Sequence, residues 1–263
     1  IGLIDPNRLE NIPEKFRAQH EFCFHLHDLM AALLVQMEIQ KAGHISFEIE
    51  SEEDQRLLAS GIHILDFLNK SGRSELERRA VVNHVCNALF SDMLHFIYEA
   101  LRCLEKRKFT VALSLLRKPF KENMLIAAQM CADETAFFDK MKSDAKNLLN
   151  RRDLNEQGIK DLLASAIAAS RGSSFTNADA IYDAVFNFQN EMGFAGLFDK
   201  ATHLVTDFRR NQTEDYNLNF IFKNPMDNDI YDGGTYSQRD FHVTGVQTCA
   251  LPISSFVCSH HAD

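Results

Sequence analysis

The most constraining feature of this sequence is residues 74–106, which contain neither glycine nor proline. Apolar side chains recur there every three or four positions, at Val81, Val82, Val85, Leu89, Met93, Ile97, Leu101 and Leu104. This spacing puts them along one face of an α-helix, with no residue present that interrupts helices. We therefore predict one long helix over about 74–106, with Val85, Leu89, Met93 and Ile97 buried.

The rest of the chain is also helical in character, since its 263 residues include only 11 glycines and 5 prolines. Helical spacing predicts helices over 14–41, 51–70, 110–132, 133–141, 153–170, 177–192 and up to about 208. Pro119 should kink or split its helix. Residues 44–50 alternate apolar and polar side chains, which fits a strand or an extended linker equally well. Long helices with short connections predict an all-α fold, an antiparallel helical bundle.

The charge balance limits the partners of the chain. Its 28 Lys and Arg residues face 37 Asp and Glu residues, for a net charge of −9. A general nucleic-acid binder needs the opposite surplus to neutralise phosphates, so the acidic balance argues against that class but does not exclude a small basic site. Strongly apolar stretches such as 29–35 and 162–169 are too short to span a bilayer. We therefore expect a cytoplasmic protein without membrane contact.

Residues 243–254, with the sequence VTGVQTCALPIS, resemble a sequencing adapter translated in one frame. Arg239 and Asp240 fit the adapter stretch that precedes the index, and residues 241–242 fit the index itself. The resemblance implies that residues 239–263 are an artefactual, disordered tail and that the gene is truncated at its C-terminus. Residues 1–238 are then expected to form a single, incomplete helical domain.

The four cysteines of residues 1–238 are Cys23, Cys86, Cys103 and Cys131. They show no C-x-x-C spacing and lie in predicted helices, so we expect buried free thiols. The sequence also lacks the glycine-rich loops that bind nucleotides, the G-x-S-x-G elbow and the H-E-x-x-H pair. No cofactor is therefore expected.

A histidine-rich segment at residues 20–28 is the first candidate site. On a helix, His20, Cys23 and His27 share one face, and Glu21, His25 and Asp28 share a neighbouring face. Either set could supply three metal ligands in a helical bundle. The alternative, which we favour, is that Phe22, Leu26 and Leu29 face the core while the polar groups lie at its border or in solvent, with no metal.

A polar stripe on the long helix is the second candidate. It lies opposite the predicted apolar stripe and consists of His84, Asn87, Ser91, His95, Tyr98 and Arg102, with Glu99 one turn after His95. Such a stripe could line a polar groove, where histidine acts as a general base or metal ligand. It could equally be the solvated side of an amphipathic helix.

Arg79 and His84 form an R-x4-H pattern that resembles the short motif of HEPN-type helical ribonucleases. The resemblance implies that Arg79 stabilises the phosphate charge and His84 assists proton transfer. Two features depart from the motif. Five residues turn a regular helix by 500°, which separates the two side chains by about 140°. In addition, Ala80 follows the arginine, where HEPN motifs generally carry a polar residue.

Residues 113–141 are similar to uncharacterised all-helical bacterial proteins, some of them distantly HEPN-like. The similar stretch reads LSLLRKPFKENMLIAAQMCADETAFFDKM. It supports the helical fold and a bacterial source, and it contains no catalytic residue that can be transferred.

Two functional classes follow from the sequence. The first is a helical module that acts by binding another protein, whose identity the residues do not specify. The second is an enzyme, either a HEPN-like ribonuclease acting on RNA or a metal-dependent bundle enzyme. Loss of RNA cleavage in Arg79→Ala or His84→Ala would distinguish the second class from the first.

Overall fold

The computed structural model describes residues 4–49, 51–148, 154–170, 176–190 and 193–202. The adapter-like residues 243–254 and the whole predicted tail, 239–263, lie outside the described residues. The end of the last predicted helix, beyond residue 202, lies outside them as well.

Helices make up most of the described residues, none of which lies in a strand, and the all-α prediction is confirmed. The helices are α1 (Glu14–Ile39), α2 (Glu52–Ala59), α3 (Ile64–Lys70), α4 (Ser74–Glu105), α5 (Phe109–Arg117), α6 (Met124–Ala132), α7 (Glu134–Asp144), α8 (Glu156–Ala169), α9 (Ala178–Val185) and α10 (Phe194–Thr202). Short 3₁₀ turns lie at Pro6–Leu9 and Ala145–Asn147. Residues 44–49 have no regular structure, so the extended linker is the correct alternative there.

The long helix α4 is the centre of the bundle, with α1, α3, α5 and α7 packed around it. Its predicted buried face is only partly correct. Met93 and Ile97 are buried as expected, whereas Val85 and Leu89 are half-buried at the edge of the core. Phe90 is buried in the same core. The predicted apolar stripe is therefore displaced toward Phe90, whose large ring removes more apolar area from water than Val85 or Leu89 would.

Helix α1 was assigned the wrong inner face. Residues His20, Cys23 and His27 are buried against the bundle, while Leu29 is 54% exposed. Phe22 is only half-buried. The expectation that the polar residues lie at the border or in solvent is therefore wrong for this face. The physical reason is that buried partners on α4 accommodate the polar side chains, and periodicity alone does not reveal such partners.

Local signals explain most helix boundaries. The Ser51 hydroxyl accepts a hydrogen bond from the Asp54 backbone N–H at 3.0 Å and begins α2. The predicted helix 51–70 is nevertheless two helices, because Gly61 adopts a φ of +75° that only glycine tolerates easily. Pro119 lies in a π-helical turn, Lys118–Asn123, that joins α5 to α6. A wider turn releases the backbone strain that proline causes in a regular α-helix.

Within the described part of the chain, α1 is the helix long and apolar enough to cross a membrane by length and composition. This helix contains the stretch 29–35, which was expected to be too short to span a bilayer. Core helices of soluble proteins and signal sequences meet the same criterion, so it does not identify a membrane span.

Candidate functional site: the groove between α1 and α4

Helices α1 and α4 run antiparallel, and a groove of about 710 Å³ lies between the C-terminal half of α1 and the N-terminal half of α4. The linker after α1 forms its third side. The residues that line this α1–α4 groove are Leu34, Val35, Met37, Glu38, Gly43, His44, Ile45, Ala80, His84, Asn87, Ala88 and Ser91. A cleft of this volume, with mostly apolar walls and a few polar groups, is typical of binding sites.

The polar wall of the groove comes from α4. His84, Asn87 and Ser91 are spaced three and four residues apart, so they lie on one face of that helix. The small side chains of Ala80 and Ala88 lie beside them and keep the groove open. Three residues of the predicted polar stripe therefore lie along this groove, which places them without testing what they do.

Gly43 brings the linker close to this wall. A Cβ atom at residue 43 would lie 2.8 Å from Asn87 Nδ2, closer than real Cβ contacts allow. The backbone of the linker therefore lies directly on the Asn87 side chain. The next residue in the linker is His44. Its imidazole and that of His84 both border the groove. Sequence reasoning missed Gly43 and His44, since only their position in the fold reveals their role.

The apolar wall comes from α1 and from Ile45 of the linker. It continues onto an outer apolar stripe of α1, which we define as Leu29, Ala32, Val35 and Ile39. Val35 is 56% exposed and Ile39 is 66% exposed. Val35 belongs both to this stripe and to the groove. Contiguous exposed apolar patches are a common feature of binding surfaces, whereas single exposed apolar side chains are not.

The remaining residues of the predicted polar stripe do not line the groove. His95 and Glu99 are exposed on α4. The Tyr98 ring packs against the rings of Phe24 and His27 on α1, with centroid distances of 5.9 Å and 5.4 Å. Tyr98 therefore closes the interface between α1 and α4 at the end of the groove.

Arg79 and His84 lie within the continuous helix α4, and both side chains are exposed. His84 lines the groove and Arg79 does not. In an unbroken α-helix, five residues separate two side chains by about 140° around the axis. A single α1–α4 groove therefore cannot present both side chains in the way that the R-x4-H pattern requires.

The candidate ligands in the histidine-rich part of α1 are not brought together at one point. Within the described residues, no group of three or more His, Cys, Asp and Glu side chains is placed to hold a metal ion. His20 and His27 face the bundle, and His27 Nδ1 lies 3.1 Å from the carboxylate of Asp28. His25 projects on a different side of the helix and stacks loosely on Phe22, with a centroid distance of 6.3 Å.

A buried ionic cluster lies at the other end of the α1–α4 interface, around Glu105. Arg8 Nη2 donates a hydrogen bond to Glu105 Oε1 at 2.6 Å, and Arg102 Nη1 donates one to Oε2 at 2.7 Å. His20 Nε2 lies 3.5 Å from Oε1. Arg102, which the sequence placed in the groove, belongs to this cluster instead. Glu105 follows buried Leu101 by one helical turn, a spacing that could have indicated a buried carboxylate in need of partners.

Burial and charge compete within this ionic cluster. Burial lowers the pKa of His20, and the nearby Glu105 carboxylate offsets only part of that change. Burial alone would raise the pKa of Glu105, but the hydrogen bonds from His20 and Arg8 outweigh it and leave that pKa lowered. At neutral pH, His20 is therefore uncharged and Glu105 is ionised.

No protein-family model, curated protein or solved structure matches this chain. The resemblance to HEPN-like and other helical bacterial proteins therefore stays a hypothesis based on the residues quoted above.

Proposed function

We propose that this chain is a protein-interaction module that binds an amphipathic helix of a partner protein in the α1–α4 groove. The observation that carries this proposal is the continuity between the groove and the outer apolar stripe of α1, joined at the exposed side chain of Val35. The partner would place its apolar face on this surface.

The shape of the groove favours a helix as the occupant. Two antiparallel helices with an open groove between them can accept a third helix by the packing that already builds the bundle. Apolar anchors of the partner would contact Leu34, Val35 and Ile45, and its polar edge would face Asn87 and Ser91. The apolar wall then supplies affinity, and hydrogen bonds along the polar wall fix the register.

A displayed library of amphipathic helical peptides, selected against the folded chain, tests this function. We expect selected peptides to lose binding by at least about tenfold, or about 1.4 kcal/mol, on Val35→Glu or Ala88→Glu. Val111→Glu is the matched control, because Val111 is also a partly exposed valine (47%) but lies on α5, away from the groove. Circular dichroism must show that all three variants stay folded.

Two results would contradict the interaction module. One is that no peptide is enriched above the unselected library. The other is that the enriched peptides bind Val35→Glu and Ala88→Glu as tightly as they bind the original chain. Equal loss in Val111→Glu would show that added negative charge, and not the groove, causes the effect.

A HEPN-like ribonuclease is the second hypothesis, favoured by the position of His84 in the groove. It predicts cleavage of single-stranded RNA that His84→Ala and Arg79→Ala both abolish. His95→Ala is a matched control, because His95 is another exposed histidine of α4 that does not line the groove. Because Arg79 lies outside the groove, this hypothesis requires that Arg79 of a second copy of the chain reach the RNA at His84.

A further inference from the structure

The Glu105 cluster joins three separate parts of the chain. Arg8 comes from the 3₁₀ turn Pro6–Leu9, His20 comes from α1, and Glu105 lies at the end of α4 with Arg102. Glu105 is 3% exposed, and His20 is fully buried. Buried ionic groups of this kind are stable only while their charges stay matched.

The N-terminal segment, residues 4–12, is held by this cluster together with Ile4, Leu9 and Ile12, whose side chains are buried in the core. Arg8 contacts Glu105 and also lies over the Phe24 ring, at 4.9 Å from its centroid. Phe24 in turn packs edge-on against the His20 ring, with a centroid distance of 5.2 Å. A second contact comes from Arg107 Nε, which donates a hydrogen bond to the Asn11 carbonyl at 2.9 Å. Arg8 therefore covers the side of α1 on which His20 is buried.

The charges around His20 are unfavourable for a further proton. Two guanidinium groups, from Arg8 and Arg102, already surround the single carboxylate of Glu105. A protonated His20 would be a third cation at the same carboxylate. The other ionisable groups whose charge acts on the cluster are Asp5, Glu21 and Tyr98.

We propose that the Glu105 cluster is an acid-sensitive clasp, in which protonation of His20 weakens the attachment of Arg8 and residues 4–12 to α4 while the bundle stays folded. Release moves one cation away from Glu105 and opens His20 to water, where its charged form is stable. The clasp is closed at neutral pH and opens as the pH falls.

The direction follows from the protonation equilibrium of His20. Burial lowers its pKa from 6.5 in the closed form, with the Glu105 carboxylate opposing and Arg8 adding to the decrease. In the released form His20 is solvated and regains an ordinary pKa. The released form therefore binds more protons below pH 6.5, so acid favours release. The lowered pKa of Glu105 keeps its carboxylate ionised in this range.

Hydrogen exchange of the full chain, followed by mass spectrometry from about pH 7.5 to about pH 5, tests the clasp. After correction for intrinsic exchange, the protection of residues 4–12 should fall about tenfold per unit of pKa difference, while α4 stays protected. His20→Gln should remove this pH dependence. His27→Gln is the matched control, because His27 is a second buried histidine on α1 that does not contact Glu105.

Two results would overturn the clasp. One is protection of residues 4–12 that does not change with pH in the original chain. The other is a pH dependence that persists unchanged in His20→Gln or disappears equally in His27→Gln. If His20→Gln fails to fold, NMR titration of the His20 ring in the original chain decides the question. A measured pKa at or above the ordinary 6.5 contradicts the proposal. A lowered pKa supports it if the amide signals of residues 4–12 shift with the same midpoint, and contradicts it if those signals stay unchanged.

Discussion

Asn87 and Gly43 are in such close contact that a Cβ atom at residue 43 would lie 2.8 Å from the Asn87 side-chain nitrogen. Gly43→Ala should therefore push the Asn87 amide out of its position. Because this amide is the end of a flexible side chain, the cost should be small, below about 1 kcal/mol. NMR should show a shifted Asn87 side-chain resonance with nearly unchanged stability to urea.

A double variant provides the control for this prediction. In Asn87→Ala, the space next to residue 43 is free, so Gly43→Ala should cost less in that background than in the original chain. An equal cost in both backgrounds would show that Gly43 and Asn87 do not interact energetically. A large loss of stability would show that the linker backbone cannot adapt.

The core of α4 should respond most strongly at Phe90, which is 1% exposed. Phe90→Ala should destabilise the protein by about 3–5 kcal/mol, because it removes a buried ring and leaves a cavity. Leu89→Ala should cost less, since Leu89 is only half-buried at the edge of the same core. Urea unfolding of both variants measures the difference, and a larger effect at Leu89 would contradict the core described here.

The thiols of buried Cys23 and Cys86 and of half-buried Cys131 should resist alkylation in the native state. Burial raises the pKa of Cys23, Cys86 and Cys131 to about 12, so almost no thiolate forms at pH 8. Iodoacetamide followed by peptide mapping should leave these three sites unmodified until urea is added. Rapid native modification of Cys86 at the rate of a free thiol would show that its environment opens far more often than this packing implies.

Much of the fold follows from local patterns in the sequence. The long helix α4 matches its predicted range to within one residue, because nothing between Ser74 and Glu105 interrupts a helix. Asn177, the first residue of the predicted helix 177–192, caps α9 by accepting a hydrogen bond from the Ala180 N–H at 2.8 Å. These features depend on residues close in sequence, so periodicity and capping residues are enough to find them.

The features that could not be predicted depend on residues distant in sequence. Leu29 has the spacing of a core residue, yet it is exposed because no element of the described structure packs on that side of α1. His20 is buried because Glu105 and Arg8 lie beside it, and the last two are 97 positions apart. Similarly, the packing of α1 on α4 separates the polar stripe into two parts. His84, Asn87 and Ser91 line the groove, whereas Arg102 joins the ionic cluster at Glu105. Periodicity identifies which residues share a face, and tertiary contacts decide what that face meets.

Acid should weaken the bundle through Glu77, which joins α3, α4 and α7. Asn69 Nδ2 and Lys142 Nζ each donate a hydrogen bond to its carboxylate at 2.9 Å. Burial alone would raise the pKa of Glu77, but these two hydrogen bonds outweigh it and leave the pKa lowered from 4.5. A lowered carboxyl pKa adds stability above the unfolded value, and this stability is lost as the pH falls below about 4.5.

Glu77→Gln should therefore reduce the free energy of unfolding at neutral pH by about 1–3 kcal/mol, the usual contribution of hydrogen bonds to a charged group. The difference between the variant and the original chain should shrink as the pH falls below about 4.5, where Glu77 itself becomes neutral. Urea unfolding at neutral and at acid pH measures both effects.

Glu52→Gln is the matched control, because its ion pair with Arg56 joins side chains that are 86% and 80% exposed. Such a surface pair contributes little, so this variant should behave like the original chain at every pH. A Glu77→Gln difference that stays constant with pH would show that the glutamine disturbs packing and that the charge of Glu77 is not what stabilises the junction.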